Sequence, residues 1–244
     1  MNKIDNINDV LNTLKGGKLK LEGQFIYGSN NTYLAHIQDV AKPIKVIYKP
    51  VIGERPLYDF PLGTLGKREV AAFQISQQTG WDLVPPTIFR TDNLPMGPGS
   101  LQLYIEHDPE LHYFTFEDHI IQRMRPIVLF DILINNADRK GGHILLDKEQ
   151  KLWLIDHGIC FHKDYKLRTV IWDFIGETIS EELILDLQKY NTKLKNDSTI
   201  KSELLSFLNE EEFQSLQIRA ENIITNMVFP MPDQNNRPYP WPPI

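Results

Sequence analysis

The sequence predicts an α+β fold, rich in strands toward its N-terminus and mainly helical toward its C-terminus. Three observations predict it. Between Lys18 and Tyr48, short apolar runs are separated by turn residues, as in strands and hairpins. An apolar run, Ile127 to Ile134, leads into a polar loop and a second hairpin that carries an aspartate at each end. Beyond that hairpin the chain reads as helices, with helix-starting residues at Ser180-Glu181-Glu182 and Leu208-Asn209-Glu210.

Composition sets the bounds. A chain of 244 residues suits one large domain or two small lobes. Hydrophobic content of 41% and charged content of 24% allow an ordinary core. No apolar run reaches the length of a membrane-spanning helix, and Met1 to Asp5 has no signal-peptide character. Cys160 is the one cysteine, so no intrachain disulfide forms, which fits a cytoplasmic protein. A net charge of −6 and a pI near 5.7 argue against nucleic-acid binding. The lack of a basic run argues against stable membrane anchoring.

In chain order, residues 5–15 read as a short helix with Asn6 or Asn8 as cap. Lys18–Tyr27, Thr32–Ile37 and Ile44–Tyr48 read as strands, with Gly28-Ser29-Asn30-Asn31 as a tight turn. Lys49 ends the third strand. Val51 to Gly66 is a long turn-rich segment containing Arg55. Lys67 to Ser76 reads as a helix closed by Gly80, with Glu69 in its first turn, where the helix dipole favours an acid. Val84–Phe89 and Leu101–Glu106 read as extended, and 114–125 and 126–136 as helical. The six prolines of the tail, Pro230 to Ile244, suggest an extended segment over the body, or an arm for a partner.

The chemistry concentrates in residues 126–162. Asp138-Arg139-Lys140-Gly141-Gly142 is a polar loop, followed by strands His143–Leu146 and Leu152–Ile155 and then Asp156-His157-Gly158. The hairpin can bring Asp138 and Asp156 to one end. Phosphoryl transfer needs one carboxylate to orient or deprotonate a hydroxyl and another to hold Mg²⁺ against phosphates. Taken singly, Asp-x-Gly and Asn-Asn-x-Asp are common turn chemistry. The remaining histidines have no metal-binding spacing with a cysteine, so a zinc site is not expected.

Together, Asp138-Arg139, the hairpin and Ile155-Asp156-His157-Gly158 resemble the phosphatidylinositol 3-/4-kinase-like branch of the kinase superfamily, and within it a small bacterial family. The resemblance implies a bilobal protein-kinase-like fold, with a β-rich N-lobe at 1–106 and a helical C-lobe at 107–244. It implies an ATP-dependent kinase using Mg²⁺ or Mn²⁺ and acting on a hydroxyl of a protein or small soluble acceptor. By that likeness Asp138 positions and deprotonates the acceptor, and Arg139 steadies the loop or the transition-state charge. Asp156 binds metal with His143, which stands where the branch has Asn. Lys49 binds phosphates and pairs with Glu69, while Gly28, Ser29, Asn30 and Asn31 cover them; a solvated Lys49 and a plain hairpin are the bland alternatives. The backbone at Glu106 and His107 meets the adenine. Lys166 and Arg168 face an anionic acceptor or simply solvent, and Arg55 faces phosphates, an acidic substrate or solvent. Imidazole suits softer ions than Mg²⁺, so His143 leaves open a Mn²⁺ preference or a pseudokinase that binds nucleotide or a partner. AMP transfer is open on the same scaffold.

Overall fold

A computed structural model of the protein describes residues 6–25, 30–38, 43–233 and 236–244. Helix α1 (Ile7–Gly16) starts where the Asn6 side chain accepts the N–H of Asn8 at 3.0 Å. Its last carbonyls, Leu14 O and Gly17 O, are taken by the buried Arg90 guanidinium. Strands β1 (Lys18–Phe25), β2 (Thr32–Gln38) and β3 (Ile44–Pro50) follow. After helix α2 (Leu65–Gln78) come β4 (Thr87–Arg90) and β5 (Gly99–Leu103). The five strands form one antiparallel sheet in the order β1-β2-β3-β5-β4.

Strand alternation splits β3 between two environments. Val46 and Tyr48 enter a core with Leu14, Ala35, Ile37 and Leu101, under α1. Ile47 and Lys49 point the other way, into a cleft. Gly99 must be glycine because a Cβ there would lie 2.4 Å from Lys49 O, so β5 closes tightly on the end of β3.

Three elements differ from the sequence reading. Helix α2 begins two residues earlier than expected, which moves Glu69 out of the first turn. The dipole effect fades within one turn, so that account of Glu69 falls away. Strand β5 ends at Leu103, not Glu106, because its ladder with β3 ends at Val46↔Leu103. The helix expected at 114–125 is broken: a capping box between His112 and Thr115 starts a 3-10 turn at Tyr113–Thr115, and Phe116 and Glu117 are extended. Short helix α3 (Asp118–Ile121) and another 3-10 turn then lead into α4 (Arg125–Ile134).

Helix α4 has Pro126 in its first turn, a position that tolerates a missing N–H. It stops at Asn135, which is left-handed at φ 52°. Strands β6 (Ile144–Leu146) and β7 (Leu152–Leu154) form the hairpin. Helices α5 (Glu181–Asn196), α6 (Ser198–Leu205) and α7 (Glu210–Asn226) complete the body. Ser180 caps α5, and Asn209 with Glu212 forms a capping box on α7. The main core joins one side of α2 to α4, the hairpin, α5 and α7. A buried Arg68–Glu212 ion pair also ties α2 to α7. The tail adds residue 228 to an antiparallel bridge with Thr178, and the carbonyls of Pro238 and Pro243 accept from Thr169 and Gly141 of the body. Among the described residues, no helix is long and apolar enough to cross a membrane.

Candidate active site

The cleft lies between the five-stranded sheet and the β6–β7 hairpin and encloses about 320 Å³. Ile47, Leu103, Ile105, Leu145 and Ile155 give it apolar walls. At its polar end, Lys49 Nζ donates to Glu69 Oε1 at 2.5 Å and to Asp156 Oδ1 at 3.0 Å. The other oxygen of Glu69 accepts the backbone N–H of His157 at 2.9 Å. One carboxylate on α2 thus holds both the lysine of β3 and the backbone after β7. Burial opposes charge on Lys49, but Asp156 and Glu69 win and raise its pKa. Burial likewise opposes charge on Glu69, and Lys49 and His157 hold its pKa below the usual carboxylate range. Lys49 does the same to Asp156 against burial, with help from His143.

The Asp138 loop is shaped by buried polar groups. Asn136 Nδ2 donates to Asp131 Oδ1 at 2.9 Å, and Asn136 Oδ1 accepts the N–H of Asp138 at 3.0 Å. Arg139 grips Asp131 through Nε at 2.9 Å and Nη2 at 3.0 Å. It also donates to the carbonyls of His143 and Ile155 and to His157 Nε2. Arg139 is 0% exposed. Its fork is fully used inside the protein, which fits the expected role of steadying the loop rather than that of meeting transition-state charge.

Asp138 itself keeps 24% of its side chain exposed, and Lys140 Nζ lies 3.4 Å from its Oδ2. Burial raises its pKa to about 6, opposed by Lys140 and helped by Asp156. A carboxyl that titrates near neutrality is suited to taking a hydroxyl proton.

His143 faces both aspartates. Its Nδ1 lies 3.1 Å from Asp138 O and its Nε2 lies 3.3 Å from Asp156 Oδ2. Burial, with Arg139 and Lys140, lowers its pKa to about 4 despite Asp156, so the ring is neutral at pH 7. Both facing oxygens only accept, so the single proton of the neutral ring sits on Nδ1 or Nε2 according to the tautomer, and the tautomer with Nδ1–H is the one that a metal on Nε2 requires. In that tautomer Nε2 presents a lone pair toward an ionised carboxylate oxygen. Two acceptors aimed at one point with no proton between them make a place for a cation. The residues therefore fit a divalent ion that takes its remaining ligands from phosphate and water. Asp156 is delivered there by a left-handed backbone at φ 63°.

The remaining expected residues spread around this centre. Asn30 and Asn31 line the cleft, with Asn30 Oδ1 accepting the N–H of Arg55. Asn31 N donates to Gly53 O, and a Cβ on Gly53 would lie 2.6 Å from the Asn31 side chain. Gly28 and Ser29 lie outside the described residues. His107 lines the cleft, whereas the Glu106 side chain is exposed beside Lys45 and Lys148. Any contact from residue 106 is left to its backbone. Lys166 is held by Asp59 at 2.8 Å, which withdraws it from an acceptor. Arg168 is exposed, and its charge reaches Asp138. The Arg55 side chain lies at the surface.

Sequence reasoning overlooked Asp131, Asn136 and His157. Asp131 did carry a signal, as the lone charge in the apolar run Ile127–Ile134. His157 carried none, because its neighbours Glu69 and Arg139 come from distant stretches.

Residues 31–213 match the family model for phosphatidylinositol 3- and 4-kinase. Protein Rv2133c of Mycobacterium tuberculosis is 34% identical over 94% of this chain and 93% of its own length. Phosphatidylinositol 4-kinase gamma 4 of Arabidopsis thaliana is 32% identical over 43% of this chain, but only 23% of that protein is covered. Among solved structures, a Golgi casein kinase superposes with a TM-score of 0.54 at 12% identity, over 91% of this chain and 75% of that one. A second structure, the Golgi casein kinase with Mn/ADP bound, gives 0.53 at 13% identity, with the same coverage of each chain. These two establish the bilobal kinase-like fold.

Proposed function

We propose that this chain, which belongs to the phosphatidylinositol 3- and 4-kinase family, transfers a phosphoryl group from ATP to a hydroxyl of a protein or small soluble acceptor. One observation carries the reading: Lys49, Glu69, Asp156 and His143 converge at the polar end of an apolar cleft beside the partly buried carboxyl of Asp138. The family and fold support a phosphotransferase. The acceptor is our inference, since fold does not name a substrate.

In this reading the apolar walls take the adenine, with backbone contacts at residues 106 and 107. Residues 1–106 and 107–244 act as the two lobes. Lys49, steadied by Glu69, meets the phosphates, beside Asn30 and Asn31. Asp156 and the free Nε2 of His143 would hold Mg²⁺ or Mn²⁺; when bound, such an ion neutralises phosphate charge. The Golgi casein kinase with Mn/ADP bound supports a nucleotide and a divalent ion on this fold. Asp138 orients the acceptor hydroxyl and takes its proton as the phosphoryl group departs from ADP. A pseudokinase reading draws on His143 in place of Asn, but a neutral ring whose Nε2 lies 3.3 Å from Asp156 Oδ2 can still supply a metal ligand there.

Calorimetry with ATP and Mg²⁺ or Mn²⁺ tests the site. Wild type should bind ATP with a divalent ion, and Asp156→Ala should weaken that binding by about a hundredfold. Well-folded wild type that binds ATP with neither ion would sink the catalytic reading.

A pH profile tests Asp138 separately. The carboxylate must be ionised to accept a proton, and its pKa in the free protein is about 6. The kcat/KM for Mn²⁺-dependent ATP hydrolysis should therefore fall as pH drops through about 6. A profile flat across that range would remove Asp138 as the base.

A further inference from the structure

The family match ends at residue 213, so the tail lies outside it. Yet the tail returns to the Asp138 loop. Pro243 O accepts the backbone N–H of Gly141 at 2.8 Å, and Pro238 O accepts that of Thr169 at 3.0 Å. Gly141 follows Asp138 by three positions and opens the 3-10 turn Gly141–His143. Thr169 is bridged in parallel to Arg139, with Arg139 N donating to Arg168 O and Val170 N donating to Arg139 O. One bond thus holds the loop, and the other holds the segment stitched beside it. Pro240 is buried between the two anchor points.

Gly141 also has little room around it. A Cβ there would lie 3.0 Å from the Phe114 ring and 3.5 Å from Pro243 O. The turn is thus packed against an aromatic ring and a prolyl carbonyl. Proline suits such a contact: its φ is fixed and it has no N–H, so an extended proline-rich chain presents carbonyls with little freedom to lose.

The turn carries two side chains of the site. Lys140 Nζ approaches Asp138, and His143 bonds Asp138 O while turning Nε2 toward Asp156. We propose that residues 236–244 are a strap that positions the Lys140–His143 turn for turnover. The strap acts through the turn and touches no reacting atom, so its members are positioning residues. Its effect on turnover rests on the phosphotransferase reading.

The test compares the full chain, a chain lacking residues 236–244, and the full-length variant Pro240→Asp, which puts a charge at the buried anchor without removing the strap. Three quantities are read: amide exchange at Gly141 and Thr169, Mn²⁺-dependent ATP hydrolysis, and the Kd for ATP. Both altered chains should exchange those amides at least about tenfold faster, and kcat should fall about a hundredfold, the scale of a small misplacement of catalytic groups. The Kd for ATP should change far less than kcat, since Lys49 and the apolar walls of the cleft lie on the sheet and the hairpin and not on the Lys140–His143 turn. A synthetic peptide of residues 236–244 should slow the exchange and restore kcat in the shortened chain. A general loss of fold would instead raise Kd and resist rescue.

Folded variants that keep wild-type kcat, or that exchange both amides at the wild-type rate, overturn the strap. Wild type that neither binds nor hydrolyses ATP defeats the kinase reading instead. The exchange rates alone then decide whether the segment holds the loop.

Discussion

Asp138→Asn is expected to lower turnover about a thousandfold and leave the Kd for ATP unchanged. The amide keeps the shape of the carboxyl but cannot take a proton. The backbone around it is held by groups the substitution does not touch: Asn136 Oδ1 accepts the residue 138 N–H, and Asp131 fixes Asn136. Asp138 makes no contact with Lys49, whose partners are Glu69 and Asp156. Stability should not fall either. The raised pKa of Asp138 means the fold favours the protonated carboxyl, so its contribution is lost as pH rises through about 6. At neutral pH the ionised group is a burden that Asn removes. Steady-state hydrolysis, calorimetry and a denaturation midpoint check the three parts together. Wild-type turnover in Asp138→Asn would leave the loop without a base.

The neighbouring substitution should do the opposite. Arg139→Met is expected to cost about 3–5 kcal/mol of stability, because it leaves Asp131 charged and buried with its main partner gone. Asp131 is 1% exposed and Arg139 0%. The same change strips donors from the carbonyls of His143 and Ile155 and from His157 Nε2. Denaturant unfolding measures the loss. The double variant Asp131→Leu/Arg139→Met should recover part of it, since it removes the unpaired buried charge but leaves the carbonyls of His143 and Ile155 without their donor. Equal midpoints for wild type and Arg139→Met would show that the pair contributes nothing. Adjacent residues 138 and 139 thus separate: one is expected to limit chemistry and the other folding.

That separation marks how far the sequence could be read. The alternating residues of β3, the cap at Asn6, the stop at Gly80 and the starts at Ser180 and Asn209 are each written within a few positions. Such signals act through local backbone geometry, and the elements lie close to where they were expected. The spacing from Asp138 through the hairpin to Asp156 was equally legible, since a short antiparallel pair returns the chain to its starting end. The break at Phe116 was not legible. It depends on a cap formed by the His112 side chain, and histidine is an uncommon capping residue.

By itself, the sequence determined the strands, the main helices and which acidic and basic residues stand near the hairpin and β3. The tertiary structure alone decided their partners. Glu69 meets Lys49 across 20 positions and His157 across 88. Arg139 looks like a free cation beside Asp138 in the chain, but packing buries it on Asp131. The tail carbonyls of Pro243 and Pro238 meet the N–H groups of Gly141 and Thr169, which stand far from them in the chain. The reason is physical: periodicity and turn chemistry are fixed by neighbours in the chain. Burial, and with it charge and hydrogen-bond partner, is set by residues that only the closed fold brings within a few ångströms.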